Sequence, residues 1–280
     1  MEKFEFLTVH SLAEALEAID NLPEVRIVAG ATNVMNNIRS GKQKPATLID
    51  IDKLDELRYI RMEDGKIQIG GLTRLADIAE SELIKENAPC LYMAANVFAD
   101  PNTRNRATIA GNIADASPAA DSAPSLLVLD ATVNIESKAG KRSVNINAFF
   151  KGVNRTALEK NEMITSVEFA PCKQSGFYKI GMRNAMAISV VTAAASVALG
   201  ENGTIAACKI ALGSVAPTPK RAVTAEEMLL GKKPTHETFA SIAEAVRGDI
   251  SPIDDVRATR AYRLGIAPTV VERAFEAAMK

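Results

Sequence analysis

The 280-residue chain has 33 Lys and Arg against 34 Asp and Glu, a formal net charge of −1, and this balance does not favour nucleic-acid or anionic-membrane binding. Its length allows about two compact domains of ~100–200 residues each, and it can bury a core without disulfides or metals. Cys90, Cys172 and Cys208 form no CxxC pair, so we expect reduced thiols and no metal site. Since no signal-like or membrane-spanning apolar segment is visible, we expect a cytoplasmic protein.

Residues 1–56 predict a small α/β unit with the order β-α-β-loop-β. FEFLTVH is typical of a strand, and Ser11 and Glu14 have the spacing of a helix capping box before a helical period of apolar residues. EVRIVAG predicts a buried strand that ends at Gly30, and ATLIDI predicts another that is entered through Pro45.

Residues 57–170 predict a second, mixed unit. ELRYIRMEDGKIQIGG predicts a hairpin about an Asp-Gly turn. TRLADIAESELIKENAPCLYMAANVF has a helical period that Asp100-Pro101 should stop. Further on, LLVLDATVNI predicts a helix end and a buried strand, while SVNINAFF and EMITSVEFA alternate like strands.

Residues 171–280 predict a third unit. AISVVTAAASVAL has a helix-like composition, but the following Asn202-Gly203 and IAACKIALGSV favour a long hairpin. APTPKRAV predicts an extended connector. Two amphipathic helices, TAEEMLLG and HETFASIAEAV, should follow, and a last helix should run from about residue 255 to the end with a break at Pro268.

The segment IVAGATNVM carries the first candidate site. A strand that runs into Gly30, Ala31, Thr32 and Asn33 exposes consecutive backbone N–H groups with no bulky side chain over them. Such a nest can hold a phosphate or pyrophosphate, and the Thr32 and Asn33 side chains add donors. The same pattern is also typical of an ordinary tight turn after a strand.

The segment TRNRATIAGNIADASPAAD, residues 103–121, carries the second. We interpret ATIAGN as a strand running into Ala110-Gly111, where glycine leaves room for a ligand against the backbone. Thr108 and Asn112 flank it with a hydroxyl and an amide.

Asp121 follows a Ser-Pro turn, and its spacing has two interpretations. It could accept hydrogen bonds from sugar-type hydroxyls, or it could cap a helix that starts near Ser122. Two small-residue segments roughly 80 residues apart favour one long ligand, such as a dinucleotide, held across two lobes. Neither GxGxxG nor a P-loop motif is present, so a Rossmann or nucleotide-triphosphatase site is disfavoured.

Conventional catalytic residues are not evident. His10 and His236 show no carboxylate or serine partner pattern, so we expect surface or capping roles for them. The residues are better suited to holding a cofactor that itself carries the chemistry. We therefore predict no acid–base catalyst and no metal ligand in this chain.

VAGATNVMNNIRSG and DPNTRNRATIAGNIADASPAAD together resemble the two flavin-binding motifs of the xanthine dehydrogenase and carbon monoxide dehydrogenase medium-subunit family, the FAD-binding subunits of molybdenum hydroxylases. The second is similar to the family pattern IRNxATxGGNxxxxSPxxD almost letter for letter. Because LIDI, INAFF, KIGMRNAMAISVVTAA and IALGSVAPTPKRA are also similar, the resemblance covers nearly the whole chain.

The resemblance implies an α+β fold in three parts. Residues 1–56 and 57–170 would be the two subdomains of a PCMH/vanillyl-alcohol-oxidase-like FAD-binding fold, with FAD between them. Residues 171–280 would form a C-terminal α+β domain of the CO dehydrogenase flavoprotein type.

The resemblance also implies which residues hold FAD. Val28 to Val34 would wrap the pyrophosphate through backbone groups, and Asp121 would bind ribityl or ribose hydroxyls. Phe98 matches an aromatic position beside the cofactor, and Ile164 matches an apolar contact. The implied set is Ile27, Val28, Ala29, Gly30, Ala31, Thr32, Asn33, Val34, Phe98, Thr108, Ile109, Ala110, Gly111, Asn112, Asp121, Ile164 and Lys179.

Lys179 matches a family lysine near the flavin, with Arg183 as a second candidate; the alternative for Lys179 is a solvated hairpin charge. Ala31 and Ala110 stand where many family members have glycine, and a methyl group is tolerated there if φ stays negative. No cysteine-rich insert for an additional iron cluster and no histidine for covalent flavin attachment are evident.

The resemblance implies an electron relay. Substrate would be hydroxylated at molybdenum in a molybdopterin-binding large subunit, and electrons would pass through 2Fe–2S clusters of a small subunit to FAD in this chain. NAD, a quinone, ferredoxin or oxygen could accept them. A stand-alone FAD-dependent reductase or oxidase of the same fold and a non-catalytic flavin-binding assembly subunit are the alternatives. No nucleic-acid or membrane partner is expected.

Overall fold

The computed structural model describes residues 3–280, which form three main sheets and a two-stranded ribbon. Each main sheet packs on its own cluster of buried apolar side chains. The central cluster also includes Phe177, Ala194 and Ala211 from the third sheet, so the second and third sheets share part of their core.

The first sheet is parallel, with the strand order β1-β3-β2. The Ser11 hydroxyl accepts a hydrogen bond from the Glu14 N–H and caps the first helix, as predicted. The predicted order is confirmed, but the expected loop contains a short helix. The elements are β1 (Glu5–Thr8), α1 (Leu12–Asn21), β2 (Val25–Val28), α2 (Val34–Arg39) and β3 (Thr47–Asp50).

The second sheet is antiparallel, with the order β4-β5-β10-β6-β7. The predicted hairpin is confirmed: Asp64 and Gly65 both have positive φ, 50° and 74°, as a tight hairpin turn requires. The elements up to the buried helix α8 are β4 (Ile60–Glu63), β5 (Lys66–Gly70), α3 (Leu75–Glu80), α4 (Glu82–Asn87), α5 (Pro89–Asn96), α6 (Pro101–Arg104), α7 (Ile109–Asp115) and α8 (Ser122–Val128). Those that follow are β6 (Thr132–Ser137), β7 (Gly140–Asn145), α9 (Ile146–Phe149), β8 (Phe150–Gly152), β9 (Arg155–Thr156) and β10 (Met163–Phe169).

Two strand predictions in this unit are wrong. ATIAGN is not a strand, because the Thr108 hydroxyl accepts from the Gly111 N–H and so starts helix α7. In SVNINAFF the strand ends at Asn145, whose side chain caps the short helix α9. The predicted helical run before Asp100 is present but is divided into α3, α4 and α5, and α5 already ends at Asn96. Asp100 instead caps the next helix, α6, by accepting from the Thr103 N–H.

The third sheet is antiparallel, with the order β11-β12-β13-β14. The predicted long hairpin is confirmed, since β12 and β13 pair along their length on either side of Asn202-Gly203. The elements are β11 (Ser175–Gly181), β12 (Ser189–Leu199), β13 (Ile205–Gly213), β14 (Lys220–Arg221), α10 (Val223–Leu229), α11 (His236–Ser241), α12 (Ala243–Asp249) and α13 (Arg260–Ala278).

The predicted break at Pro268 is wrong, because α13 runs through it for 19 residues. A proline inside a helix leaves the carbonyl four residues earlier without its donor. Here that carbonyl belongs to Leu264, and it accepts a 3.3 Å hydrogen bond from the Arg247 Nε of α12. The neighbouring helix thus satisfies the freed group. No helix within the described range 3–280 is both long and apolar enough to cross a bilayer.

Candidate functional site

A cleft of about 960 Å³ opens between the first sheet, helix α7 and the loop that connects β11 to β12. This volume falls in the range of roughly 300–1,000 Å³ typical of small-molecule sites. Its walls come from residues 25–34, 98–121, 154–164 and 183–188. Residues distant in sequence therefore share one cavity.

The loop after β2 forms one wall and offers unused backbone donors. Within residues 3–280, the N–H groups of Ala31, Thr32, Asn33 and Val34 donate to no protein acceptor. Ala31 has φ of 61°, so the condition for tolerating a methyl group there, a negative φ, is not met. Consecutive free N–H groups around a left-handed residue form the kind of concave nest that binds anions.

The start of α7 forms the opposite wall, and its backbone donors are already used. The Ile109 N–H donates to the Thr73 carbonyl and the Ala110 N–H to the Gly71 carbonyl, at 3.0 and 3.1 Å. The Gly111 N–H donates to the Thr108 hydroxyl, also at 3.1 Å. This segment therefore cannot cradle an anion with its first-turn amides.

Helix α7 instead offers an open surface. A Cβ placed on Gly111 would approach only the Thr108 Oγ1, at 2.9 Å, so the Gly111 Cα otherwise faces open space in the cleft. Beside it, the Asn112 Oδ1 accepts from the Ser122 hydroxyl at 2.5 Å, which leaves the amide nitrogen as a donor. A flat or extended ligand can lie close to the backbone here.

The two walls are joined directly. The Arg106 Nε donates to the Gly30 carbonyl at 3.0 Å, and the Asn33 Nδ2 donates to the Asp115 Oδ1 at 2.6 Å. A Cβ on Gly30 would lie 1.7 Å from the Arg106 carbonyl oxygen. The nest is therefore held against α7 before any ligand binds.

Asp121 lies at the amino terminus of α8, but its side chain caps no helix N–H. Its Oδ2 accepts from the Lys179 Nζ at 2.6 Å and its Oδ1 from the Ser189 hydroxyl at 2.5 Å. The capping alternative is therefore wrong. Burial raises the pKa of Asp121, against the opposing charge of Lys179 and the hydrogen bonds from Lys179 and Ser189.

Lys179 is buried behind the cleft wall. Its side chain is 9% exposed, and its Nζ also donates to the Val97 carbonyl at 3.2 Å. The alternative of a solvated hairpin charge is wrong. Lys179 does not itself line the cleft, and it reaches the site through Asp121.

Most of the predicted site residues meet in this cleft. Val28, Ile109 and Lys179 do not line it, while Arg183 does. The predicted residues that line it are Ile27, Ala29, Gly30, Ala31, Thr32, Asn33, Val34, Phe98, Thr108, Ala110, Gly111, Asn112, Asp121 and Ile164.

Sequence reasoning missed two wall segments and one contact. Segments within residues 154–163 and residues 186–188 line the cleft, but none of these residues was among the predicted site residues. Asp115, which holds Asn33, lies four residues after Gly111 on α7. Helical spacing would have placed it on the same face as Gly111.

The cysteines and histidines lie apart from this chemistry. Burial raises the pKa of the Cys90 and Cys208 thiols to about 12, so both stay protonated and unreactive. His236 is on the surface, as predicted, but it has a carboxylate partner, Glu272. No cluster of three or more potential metal ligands occurs among residues 3–280.

FAD fits this arrangement on three observations. The four free N–H groups match a pyrophosphate, and the open face of Gly111 leaves room for an extended molecule. Half-buried Phe98 and buried Ile164 give apolar contacts in the same cleft. Bound there, FAD would supply two-electron redox chemistry.

Comparisons with known proteins cover almost the whole chain. Residues 2–171 match the family described as the FAD binding domain in molybdopterin dehydrogenase, and residues 176–278 match the CO dehydrogenase flavoprotein C-terminal domain. The chain is 33% identical to the xanthine dehydrogenase FAD-binding subunit of Escherichia coli O157:H7, covering 99% of this chain and 97% of the relative. It is 31% identical to the glyceraldehyde dehydrogenase medium chain of Sulfolobus acidocaldarius, covering 98% of each.

Solved structures have the same fold. A carbon monoxide dehydrogenase chain from Hydrogenophaga pseudoflava superposes with a TM-score of 0.94 at 31% identity, covering 99% of this chain and 98% of that chain. Quinoline 2-oxidoreductase from Pseudomonas putida 86 gives 0.94 at 28% identity with the same coverage. The predicted family, α+β fold class and cofactor are therefore confirmed. The chain belongs to the family of FAD-binding oxidoreductase subunits of the xanthine dehydrogenase and carbon monoxide dehydrogenase type.

Proposed function

We propose that this chain is the electron-relay subunit of a molybdenum hydroxylase complex. Electrons from substrate oxidation in a molybdopterin-binding large subunit would pass through 2Fe–2S clusters of a small subunit to this chain's FAD, and from there to an acceptor such as NAD. The relatives support this role because they are named FAD-binding subunits or medium chains of dehydrogenases, and they match along nearly their full length.

The observation that carries the FAD site on which this proposal depends is the run of four unpaired N–H groups at residues 31–34. Backbone donors that face a cleft and have no protein partner need a ligand or water to satisfy them. We assign the FAD pyrophosphate to them, with Ile27, Val28, Ala29 and Gly30 shaping the loop. A neutral ligand would gain little from the partial positive charge of these N–H groups.

The rest of the predicted set contacts the cofactor from the other side. We assign the ribityl or ribose hydroxyls to Asp121 and Asn112, and apolar contacts to the flavin to Phe98 and Ile164. Thr108, Ile109, Ala110 and Gly111 form the surface against which the cofactor lies, and Lys179 holds Asp121. The lining of the cleft and the Asp121–Lys179 pair support these assignments.

We also propose the division into residues 1–56, 57–170 and 171–280, with FAD between the first two parts. The strands of each main sheet lie within one of these ranges, which supports the division. The unpaired thiols of Cys90, Cys172 and Cys208 support a reducing compartment such as the cytoplasm.

Native purification tests the relay. The chain is isolated by an affinity tag from its own host, and FAD, molybdenum and iron are measured in the purified material. We expect one FAD per chain and partner subunits that carry molybdenum and iron. FAD without such partners would support a stand-alone oxidoreductase instead, and a colourless chain that does not bind added FAD would support the non-catalytic alternative.

Electron flow is then followed in the purified complex. Limiting dithionite is added anaerobically, and the absorbance of the clusters and of the flavin is recorded with time. We expect the clusters and the flavin of the complex to reach redox equilibrium with each other faster than dithionite reduces the flavin of the isolated chain. Independent reduction of the two centres would contradict the relay.

A further inference from the structure

The Asp121 carboxylate is held by residues from the C-terminal part of the chain. Lys179 of β11 and Ser189 of β12 each bind one of its oxygens, at 2.6 and 2.5 Å. Asp121 itself belongs to the central part and is 4% exposed. The orientation of this cleft carboxylate therefore depends on the third sheet.

Ser189 is fixed in its turn. It is 1% exposed, and its carbonyl accepts from the Ser214 hydroxyl at 3.1 Å. The Ser214 N–H donates to the Pro118 carbonyl at 2.7 Å, three residues before Asp121. Ser189 and Ser214 thus connect the start of β12 and the end of β13 to the segment that carries Asp121.

Arg263 anchors the same strand ends from the other side. Arg263 is 1% exposed, and its guanidinium donates to the carbonyls of Val190 and Ser214, at 3.0 and 2.7 Å. Asp255 accepts from its Nη2 at 2.7 Å. Because a buried guanidinium with a paired carboxylate is costly to displace, the backbone around Ser189 is held firmly in place.

The hydrogen bonding leaves Asp121 with spare acceptor capacity. An ionised carboxylate has about two acceptor positions on each oxygen. Lys179 uses one on Oδ2 and Ser189 uses one on Oδ1. The positions left over are available to a hydroxyl donor in the cleft, provided that the carboxylate stays ionised and does not turn.

We propose that Ser189 is a positioning residue of the FAD site, which acts by holding the Asp121 carboxylate ionised and oriented toward the cofactor's hydroxyl groups. The proposal rests on the proposed FAD site. Its physical basis is that Ser189 supplies one of the two protein hydrogen bonds to a carboxylate that is otherwise destabilised by burial. Among residues 3–280, the charged side chain that contacts Asp121 is that of Lys179.

The first test compares FAD binding by Ser189→Ala, Ser189→Thr and the control Ser196→Ala in the full chain. Ser196 is also a buried serine of β12, 7% exposed, but it makes no contact with Asp121. FAD is titrated into cofactor-free protein and flavin fluorescence is followed across a range of pH. We expect Ser189→Ala to bind FAD about tenfold more weakly than the wild type. We also expect the FAD affinity of this variant to fall at a higher pH when the solution is acidified. Ser189→Thr keeps the hydroxyl and should restore both.

The second test needs no cofactor. The Asp121 carboxyl is followed by ¹³C NMR in labelled protein, with Asp121→Asn identifying the signal. We expect the pKa of Asp121 to rise in Ser189→Ala and to stay unchanged in Ser196→Ala.

The outcomes separate the two claims. Unchanged titration of Asp121 in Ser189→Ala, or equal losses of FAD affinity in Ser189→Ala and Ser196→Ala, would overturn the role of Ser189. A wild-type chain that binds no FAD would instead overturn the proposed site, while the titration would still decide whether Ser189 controls Asp121.

Discussion

Ala31 shows that the backbone at the cleft carries strain. Its φ of 61° lies in the left-handed region, where a Cβ costs roughly 1–2 kcal/mol. The same conformation lets the following amides converge into a nest. The strain is therefore part of the geometry that leaves four donors free.

Ala31→Gly tests this strain. Glycine removes the Cβ but gains entropy in the unfolded chain, so we expect a net increase of up to about 1 kcal/mol in the free energy of unfolding. Ala76→Gly, inside helix α3, is the control and should lose about 1 kcal/mol. Denaturant titration measures both, and equal losses would show that Ala31 is not left-handed.

Gly30 is the second residue on which the nest depends. Since a Cβ at Gly30 would lie 1.7 Å from the Arg106 carbonyl oxygen, Gly30→Ala must push the loop away from the backbone that precedes α7. We expect a loss of about 1–3 kcal/mol in stability and weaker FAD binding in a fluorescence titration.

Gly265→Ala is the matched control for that change. Gly265 is exposed in α13, and a Cβ there meets no atom within 4 Å. It should therefore gain about 0.5–1 kcal/mol from helix propensity and leave FAD binding unchanged. Normal FAD affinity in Gly30→Ala would show that the two walls of the cleft need not touch.

At the scale of elements, local signals were reliable where the partners are close in sequence. Ser11 caps α1, and the Asp64-Gly65 turn closes its hairpin. The prediction at Pro268 was wrong because its compensating donor, Arg247, lies on another helix. The strand prediction for ATIAGN was wrong because the β-branched residues outweighed the capping role of Thr108, which was not recognised.

His236 links α11 to α13 by its contact with Glu272. The hydrogen bond that the protonated His236 ring donates to Glu272, together with the charges of Glu272 and Glu276, raises the pKa of His236. Because the folded pKa lies above the unfolded value of about 6.5, the stabilisation is fully present below that pH. It is lost as the pH rises through the folded pKa.

His236→Gln should therefore lower the thermal unfolding midpoint at mildly acidic pH and match the wild type at alkaline pH. The effect should be small, because the His236 side chain is 86% exposed. Differential scanning fluorimetry across pH measures it. A difference that is constant with pH would indicate lost packing and not a lost ion pair.

At the scale of the whole molecule, a charged cluster joins the central part to the third sheet. Asp130, after α8, pairs with Lys209 of β13 and lies 3.6 Å from Arg221 of β14. Arg221 also binds Glu226 at 2.6 Å. Together with the shared apolar core, this cluster holds β13 and β14 against α8, whose first turn adjoins Asp121.

Asp130→Asn tests the contribution of this cluster. Asp130 has φ of 48°, which asparagine also adopts readily, so the substitution removes the charge without new strain. Because Asp130 and Lys209 are 41% and 35% exposed, we expect a loss of no more than about 1 kcal/mol. Denaturant titration at low and high salt should show the loss at low salt only, and a salt-independent loss would contradict an electrostatic role.

The residues alone were sufficient to predict the parts that depend on near neighbours. These parts are the hairpins, the first helix cap, the order of elements in the first unit, and the two motifs on opposite walls of the cleft. These follow from side-chain size, turn preference and periodicity within a few residues. The two motifs were also sufficient to predict the family, whose models match residues 2–171 and 176–278.

The hydrogen-bond partners of the groups in the site became clear only from the folded arrangement of the chain. Asp121 could not be assigned from sequence because its partners, Lys179 and Ser189, lie 58 and 68 residues away. The amides at the start of α7 were equally ambiguous, since Gly71 and Thr73 from another segment occupy two of them. Hydrogen bonds between distant segments depend on how the sheets pack together, and that arrangement leaves no pattern in the residues beside them.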